Sequence, residues 1–183
     1  MNVLYNAKIA RIVSHFRPLK GILIFLLLSV VIIGGWKLLR LDDLLYSPLL
    51  PIQKFLISLQ APATYWVVNK IFLVPASFHV DTIMFKNGQA LQEQPLCTAL
   101  KQVIQFTLLL LIYPGPLKYK IWYLPLSWVI LLVSAIIHLV ILALTLAWTP
   151  SNYMLMHIYI SRWFFFGMYF IIWLIWEEKF VKN

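Results

Sequence analysis

Long apolar runs separated by short polar segments make up most of the chain. The first run, GILIFLLLSVVIIGGWKLL, follows a basic arm and is long enough to cross about 30 Å of hydrocarbon as a helix. Three more runs extend over residues 97 to 113, 121 to 148 and 157 to 176. Each ends at turn residues or charged residues, which predicts three further membrane helices.

Residues 44–75 do not fit this simple pattern. Prolines and polar residues interrupt the segment at Pro48, Pro51, Lys54, Pro62, Asn69 and Lys70. The segment is predicted either as one kinked span or as amphipathic helices that lie at the outer membrane interface.

The next segment, FHVDTIMFKNGQALQEQ, is rich in β-branched and turn residues. Short β-prone runs flank Asn87-Gly88, the strongest short-range signal for a hairpin. We therefore expect a small outer-face β-hairpin within residues 76–96, directly before the third long span.

These elements predict an all-α polytopic membrane protein with about four to six transmembrane helices. Residues 1–183 form a single integral membrane domain, in which 1–43 supply the basic arm and first helix and 44–75 the kinked or interfacial helices. Residues 76–96 form the hairpin, and 97–183 form a three-helix part that carries the candidate site.

Charged residues predict the orientation of this domain. Lys118 and Lys120 lie in a short segment that is cytoplasmic by the positive-inside rule, so the hairpin and Cys97 face the outer side. Both termini then lie inside, which favours an even number of crossings in 44–75. The predicted location is the bacterial cytoplasmic (inner) membrane.

Composition agrees with a membrane protein and narrows the partners. The chain is 62% hydrophobic and 11% charged, far from the balance of a soluble domain. Its net charge of +9 comes from cations near the ends of apolar runs, where they bind anionic lipid headgroups, so nucleic acid is not expected as a partner. One cysteine excludes an internal disulfide and a CxxC redox motif.

Polar residues inside the apolar runs are the candidate functional residues, because such residues are costly in a bilayer and usually face the bundle interior. Helical spacing predicts three polar stripes: Cys97, Lys101 and Gln105; Ser127, Ser134, His138 and Thr145; His157, Ser161 and Arg162. The stripes are expected to converge on a pocket that opens to the outer side.

Such a pocket has the parts for cysteine-dependent cleavage or transfer of a peptide. Cys97 follows Pro95 at a predicted helix N-terminus, where the dipole and Lys101 favour a thiolate while burial opposes it. His157 is placed to act as base toward the thiol and then as acid toward a leaving amine. Arg162 or Lys101 is placed to stabilise the developing oxyanion. This mechanism requires no cofactor.

Other interpretations of the same residues remain open. A lone membrane cysteine is often an inert small hydrophobe, and histidines often only join helices by hydrogen bonds. Lys101 has a stem long enough to reach the outer interface. Cys97, His138 and His157 suit zinc by ligand type, but no pair lies one turn apart on a single helix. A transporter is disfavoured because the chain shows no internal repeat.

Residues 75 to 180 resemble the exosortase/archaeosortase family, multi-pass membrane cysteine transpeptidases, and the short single module looks most like members from Bacteroidetes. The resemblance is carried in order by CTALKQ, YPGPLKYKIWYLPLSW, LVSAIIHLVILAL and HIYISRWFFFGMYFIIWLIWEEKF. CTALKQ matches a C-S-G-L-like element, and LVSAIIHLVILAL resembles the N-x-x-R helix of the family.

The resemblance implies an outer-face cysteine nucleophile, an arginine and a histidine. These residues cleave C-terminal sorting signals of membrane-anchored precursor proteins, which are then passed to an acceptor. Cys97 matches the nucleophile and His157 the histidine, whereas His138 stands at the arginine position. Ala135 replaces the asparagine, and Ala99 the glycine of the C-S-G element. The aspartate that often follows the final histidine is Ile158.

The resemblance to the family, together with the positions that differ from the family pattern, leads to two hypotheses for the function. The leading hypothesis is an exosortase-like membrane cysteine peptidase or transpeptidase. The alternative is a non-catalytic exosortase-like membrane assembly or interaction subunit that has lost the arginine.

Overall fold

The computed structural model describes residues 2–181, with side chains described for 20–95 and 97–181. Helices account for most of these residues. In chain order they are α1 (Asn2–Leu38), α2 (Leu41–Trp66), α3 (Leu100–Ile112), α4 (Leu117–Trp148), α5 (Tyr153–Leu155) and α6 (Ser161–Trp176). Wider π-helical turns continue two of these helices: Val67–Ile71 follows α2, and Glu177–Val181 follows α6. A third such turn, Met156–Ile160, joins α5 to α6.

Three helical stretches in the described part of the chain are long and apolar enough to cross a membrane: Lys20–Leu38, Leu117–Trp148 and Pro150–Val181. Helix α3 is apolar but shorter. Large aliphatic residues such as Leu27 and Val30 are exposed on these helices, as expected for a surface that faces lipid. The prediction of a helical membrane protein is confirmed at this level.

Helix α4 begins earlier than the sequence pattern predicts. Lys118 and Lys120, predicted in a turn, belong to the first turn of α4, and Pro125 lies inside that helix. The Lys120 side chain is buried, and its ammonium donates to the carbonyls of Leu111 (3.0 Å) and Tyr113 (2.7 Å). Because these carbonyls end α3, Lys120 caps that helix.

A buried contact fixes one end of the bundle, which we call the Glu177 end. The Tyr113 hydroxyl, just past α3, donates to the Glu177 carboxylate at 2.8 Å and lies 3.4 Å from the Gly21 carbonyl in α1. Trp176 donates from its ring nitrogen to the Pro114 carbonyl at 3.3 Å. A large aromatic core including Phe25, Tyr123 and Trp173 packs above this contact, so the helices are joined by both polar and apolar contacts.

A small antiparallel sheet lies at the other end, the sheet end. Its strands are β1 (Ala76–His79), β2 (Thr82–Phe85) and β3 (Ala90–Gln92), paired in sequence order. The predicted Asn87-Gly88 hairpin joins β2 to β3, and β1 adds a third strand. Gly88 has φ 80°, the left-handed conformation that this turn requires.

The hairpin turn also holds the sheet on the bundle. The Asn87 side-chain amide donates to the carbonyls of Leu146 (2.8 Å) and Ala147 (3.2 Å), which lie in the last turn of α4. Beneath it, Ile83, Phe85 and other inward residues of the sheet pack against the second half of α4. The sheet therefore covers the end of α4.

Helix α2 lies across the sheet end. Its first turn contacts α3, where Asp42 accepts a hydrogen bond from Lys101, and its middle contacts the turn before α3, where Gln60 donates to the Thr98 carbonyl. Near its end Tyr65 stacks on Phe78 of β1. Contacts near the start and toward the end of α2 are therefore made at the sheet end.

The close approach of α1 to the Glu177 contact generates a stability prediction. A Cβ added at Gly21 would lie 2.6 Å from a Glu177 carboxylate oxygen and 3.2 Å from the Tyr113 hydroxyl, whereas one added at Gly34 would meet nothing within 4 Å. We expect Gly21→Ala to destabilise the protein by about 1–2 kcal/mol, because overpacking displaces the Glu177 contact.

Gly34→Ala is the matched control in the same helix, and its higher helix propensity predicts a neutral or stabilising effect. The measurement is the thermal unfolding of both variants in detergent micelles. Equal unfolding temperatures for the two variants would show that the Glu177 contact does not constrain α1.

Candidate functional site

Cys97 lies in a short 3-10 turn, Pro95–Cys97, just before α3. Its backbone N–H donates to the Gln94 carbonyl at 2.8 Å, and the side chain is half-buried. Two residues later Ala99 adopts φ 59°, and α3 begins at Leu100. Cys97 therefore precedes the helix in which the sequence pattern placed it.

The sequence predicts that the helix dipole and Lys101 lower the pKa of Cys97 and that burial raises it. In the structure the effect of burial is the larger one. Burial raises the pKa of Cys97, and the nearby Glu93 carboxyl adds to that effect, while the hydrogen bond with Gln94 opposes it. A thiol with a raised pKa is protonated at neutral pH, so it needs a base to become a nucleophile.

Lys101, predicted to assist the thiol, is bound elsewhere. Its ammonium lies 2.6 Å from the Asp42 carboxylate and 5.7 Å from the centroid of the Trp36 ring. Trp36 also donates to Asp42 from its ring nitrogen at 2.8 Å. Burial would raise the pKa of Asp42, but the hydrogen bonds from Lys101 and Trp36 and the charges of Lys101 and Lys37 outweigh it and lower the pKa. Lys101 thus fixes the start of α2 to α3.

Tyr153, in α5, links the region of Cys97 to the two histidines. The Tyr153 hydroxyl lies within electrostatic range of the Cys97 thiol, and the Tyr153 ring stacks on His157 with centroids 5.6 Å apart and planes 4° apart. His157 is in turn within electrostatic range of His138. These pairwise interactions therefore link Cys97, Tyr153, His157 and His138 in series.

His138 is buried in mid-bundle and linked to α6. Its Nε2 atom is hydrogen-bonded to the Ser161 hydroxyl at 2.5 Å, and its ring packs against Phe164 and Phe165. The Nδ1 atoms of His138 and His157 are both buried and have no hydrogen-bond partner. Within the described residues, no hydrogen bond joins the Cys97 sulfur to either imidazole.

The remaining predicted residues do not join this group. Gln105 is buried against α6, where its side-chain oxygen lies 3.4 Å from the Tyr169 hydroxyl. Ser134 donates to the Ile130 carbonyl of its own helix, and Ser127 and Thr145 make the same type of bond. Arg162 is exposed to the surroundings.

Residues that the helical stripes did not include also lie here. Glu93 is 5% exposed, and both of its carboxyl oxygens lack a partner. Gln60 and Thr64 are buried on the inward face of α2, each with an unpartnered side-chain oxygen. The sequence signal for Glu93 was its position two residues after Leu91, because residues two apart in extended chain face the same side.

The donor set does not form a metal centre. Among the described residues no group of three histidine, cysteine, aspartate or glutamate side chains is arranged to hold a metal ion. The zinc interpretation of Cys97, His138 and His157 therefore has no geometric support.

Comparison with known proteins adds no relative: no family model, no curated protein and no solved structure matches the chain. The resemblance to exosortases rests on the quoted sequence elements alone.

Glu93 generates a prediction for stability against pH. Burial and the neighbouring Asp81 raise its pKa from 4.5 to about 8. Between these two values the unfolded chain loses a proton that the folded chain keeps, so stability falls as pH rises. We expect Glu93→Gln to remove this pH dependence. The free energy of unfolding should then fall less steeply with pH, by as much as about 1 kcal/mol per pH unit.

The measurement is thermal unfolding in detergent micelles at several values between pH 4.5 and pH 8. Glu178→Gln, an exposed carboxyl elsewhere in the chain, is the control and should keep the wild-type profile. A Glu93→Gln profile that parallels the wild type would mean that Glu93 is ionised in the folded protein.

Proposed function

We propose that the chain is an exosortase-like membrane cysteine peptidase or transpeptidase, which processes C-terminal sorting signals of membrane-anchored precursor proteins. One observation carries the proposal. The Tyr153 side chain is close enough to Cys97 to interact with it electrostatically, the Tyr153 ring stacks on His157, and the buried Nδ1 atom of His157 has no hydrogen-bond partner. A thiol and an available imidazole at one end of a membrane bundle are the minimum for cysteine-dependent acyl transfer.

The backbone at the C-S-G-like element supports the same assignment. Ala99 stands where the family has glycine, and its φ of 59° lies in the left-handed region that favours glycine. Ala99 and Ala135, two of the departures from the family pattern, pack together with Phe165 in a small buried cluster. The matched elements of α3, α4 and α6 are therefore in contact, as a shared site requires.

The chemistry starts from a neutral thiol and a neutral imidazole. His157 takes the thiol proton while the sulfur attacks the scissile carbonyl carbon. The tetrahedral intermediate collapses to a thioester, and the imidazolium returns its proton to the leaving amine. Water or an acceptor amine then resolves the thioester. Thiol–base hydrogen bonds of this kind are often long without substrate and shorten when it binds.

In this proposal four helices cross the bacterial cytoplasmic membrane: α1, α3, α4 and the run formed by α5 and α6. Helix α2 lies flat on the outer side, because its apolar residues, among them Phe55 and Leu59, face outward while Gln53 and Gln60 face the bundle. The Glu177 end is then cytoplasmic, in line with the basic residues at the start of α4. The site lies at the outer face, within reach of a membrane-anchored substrate.

A second candidate is a non-catalytic exosortase-like assembly subunit. The observations that favour it are the raised pKa of Cys97 and the engagement of Lys101 by Asp42, which leave the thiol without a cation to stabilise a thiolate. In that case the sheet and α2 would form a binding surface and Cys97 would be dispensable.

Substitution of the nucleophile and the base separates these functions. We expect Cys97→Ala and Cys97→Ser to abolish processing, so that precursors keep their C-terminal sorting segments. His157→Gln should reduce processing by about 10²–10⁴-fold because the base is lost. His79→Gln, at an exposed histidine of β1, is the matched control and should leave processing at the wild-type rate.

The measurement is mass spectrometry of membrane proteins from cells that express each variant. An impermeant thiol reagent on spheroplasts checks that Cys97 is reached from the outer side. Normal processing by Cys97→Ala, with the protein present in the membrane, would refute the peptidase and favour the assembly subunit.

A further inference from the structure

Glu93 is the most unusual buried group at the sheet end. It follows β3 directly and is 5% exposed, and its backbone N–H donates to the Asp81 carbonyl at 3.2 Å. Neither carboxyl oxygen has a hydrogen-bond partner. A buried carboxyl without partners is costly and needs an explanation, of which a catalytic role is one.

The surroundings of Glu93 keep it protonated. Asp81 acts electrostatically on Glu93, and Glu93 acts on Cys97. Cys97 acts in turn on Tyr153, and His157 acts on His138. No cation is paired with it among the described residues. Burial first and Asp81 second raise the pKa of Glu93 to about 8, so at neutral pH the side chain carries an O–H group that can donate a hydrogen bond.

Acyl transfer at Cys97 requires such a donor. When the sulfur attacks a carbonyl carbon, the carbonyl oxygen gains a negative charge that a preorganised donor must stabilise. Lys101 is paired with Asp42, Arg162 is exposed, and Nε2 of His138 is bonded to Ser161. Glu93 acts electrostatically on Cys97, is buried, and has no competing hydrogen bond.

We propose that Glu93 acts as a neutral carboxylic acid that donates a hydrogen bond to the oxyanion formed when Cys97 attacks a carbonyl. The inference rests on the proposed function, because it assigns a further catalytic residue to that site. The step forms a carbon–sulfur bond and moves the carbonyl π electrons onto oxygen. Glu93 keeps its proton throughout, so the thiol proton still goes to His157 and returns to the leaving group.

Two electrophiles distinguish this role from a general effect on the thiol. Acylation of Cys97 by p-nitrophenyl acetate passes through a tetrahedral oxyanion, whereas alkylation by iodoacetamide is a displacement that forms none. Both rates are measured on the full chain in detergent micelles at neutral pH, with Cys97→Ala as the background. The variants are Glu93→Ala, Glu93→Gln and the control Gln94→Ala, whose side chain is exposed.

The expected result is specific to acylation. Glu93→Ala should slow acylation by about 10²-fold, the usual effect of losing one oxyanion donor, and change alkylation by less than about threefold. Glu93→Gln should recover most of the acylation rate because its amide also donates, and Gln94→Ala should match the wild type.

Each other outcome has a separate meaning. If Glu93→Ala changes both rates by the same factor, or neither rate, the oxyanion role is wrong while Cys97 remains a competent nucleophile. If Glu93→Gln is as slow as Glu93→Ala in acylation alone, hydrogen-bond donation is not the property that matters, which also overturns the role. If wild-type Cys97 reacts with neither reagent, the proposed function itself fails and the inference fails with it.

Discussion

The buried contact between Tyr113 and Glu177 is the constraint on which the bundle depends. In an apolar environment every buried polar group needs a partner, so a carboxylate inside the bundle restricts where its neighbours can lie. Glu177 from the last helical run receives the Tyr113 hydroxyl, which also approaches the backbone of α1 at Gly21. Lys120 completes this end by capping α3 with its ammonium.

Among the described residues, the sheet end holds more buried polar atoms without a partner than the Glu177 end, where the ring nitrogen of Trp173 lacks one. At the sheet end Glu93, Gln60, His138 and His157 each hold a buried oxygen or nitrogen atom without a partner. Helix α2 covers these groups with its amide-bearing face, and its outward face is apolar. Fully paired polar groups rigidify a bundle, whereas each unpaired buried group needs an explanation, such as a catalytic role or a bound water or ion. The larger number of such groups at the sheet end is the observation that favours a site there.

Features set by local pattern were predictable from the sequence. Apolar runs of membrane length gave the long helices, and Asn87-Gly88 gave the β2–β3 turn. Contacts between distant parts of the chain were not predictable, because spacing along one helix carries no information about partners on another. Lys101 shows this limit: its helical spacing from Cys97 suggested an interaction with the thiol, but Asp42, 59 residues away, binds its charge.

Glu93 shows a different limit. The predicted polar stripes follow helical spacing, and a carboxyl directly after a short strand lies outside such a pattern. His138 stands at the position where the resemblance to exosortases implies an arginine. A histidine at this position, unlike an arginine, need not carry a permanent charge in a buried site. In the proposed mechanism a thiol, an imidazole and a carboxylic acid would bury no net charge before the reaction. Charge would then develop only on the reacting atoms, where a neutral donor would stabilise it.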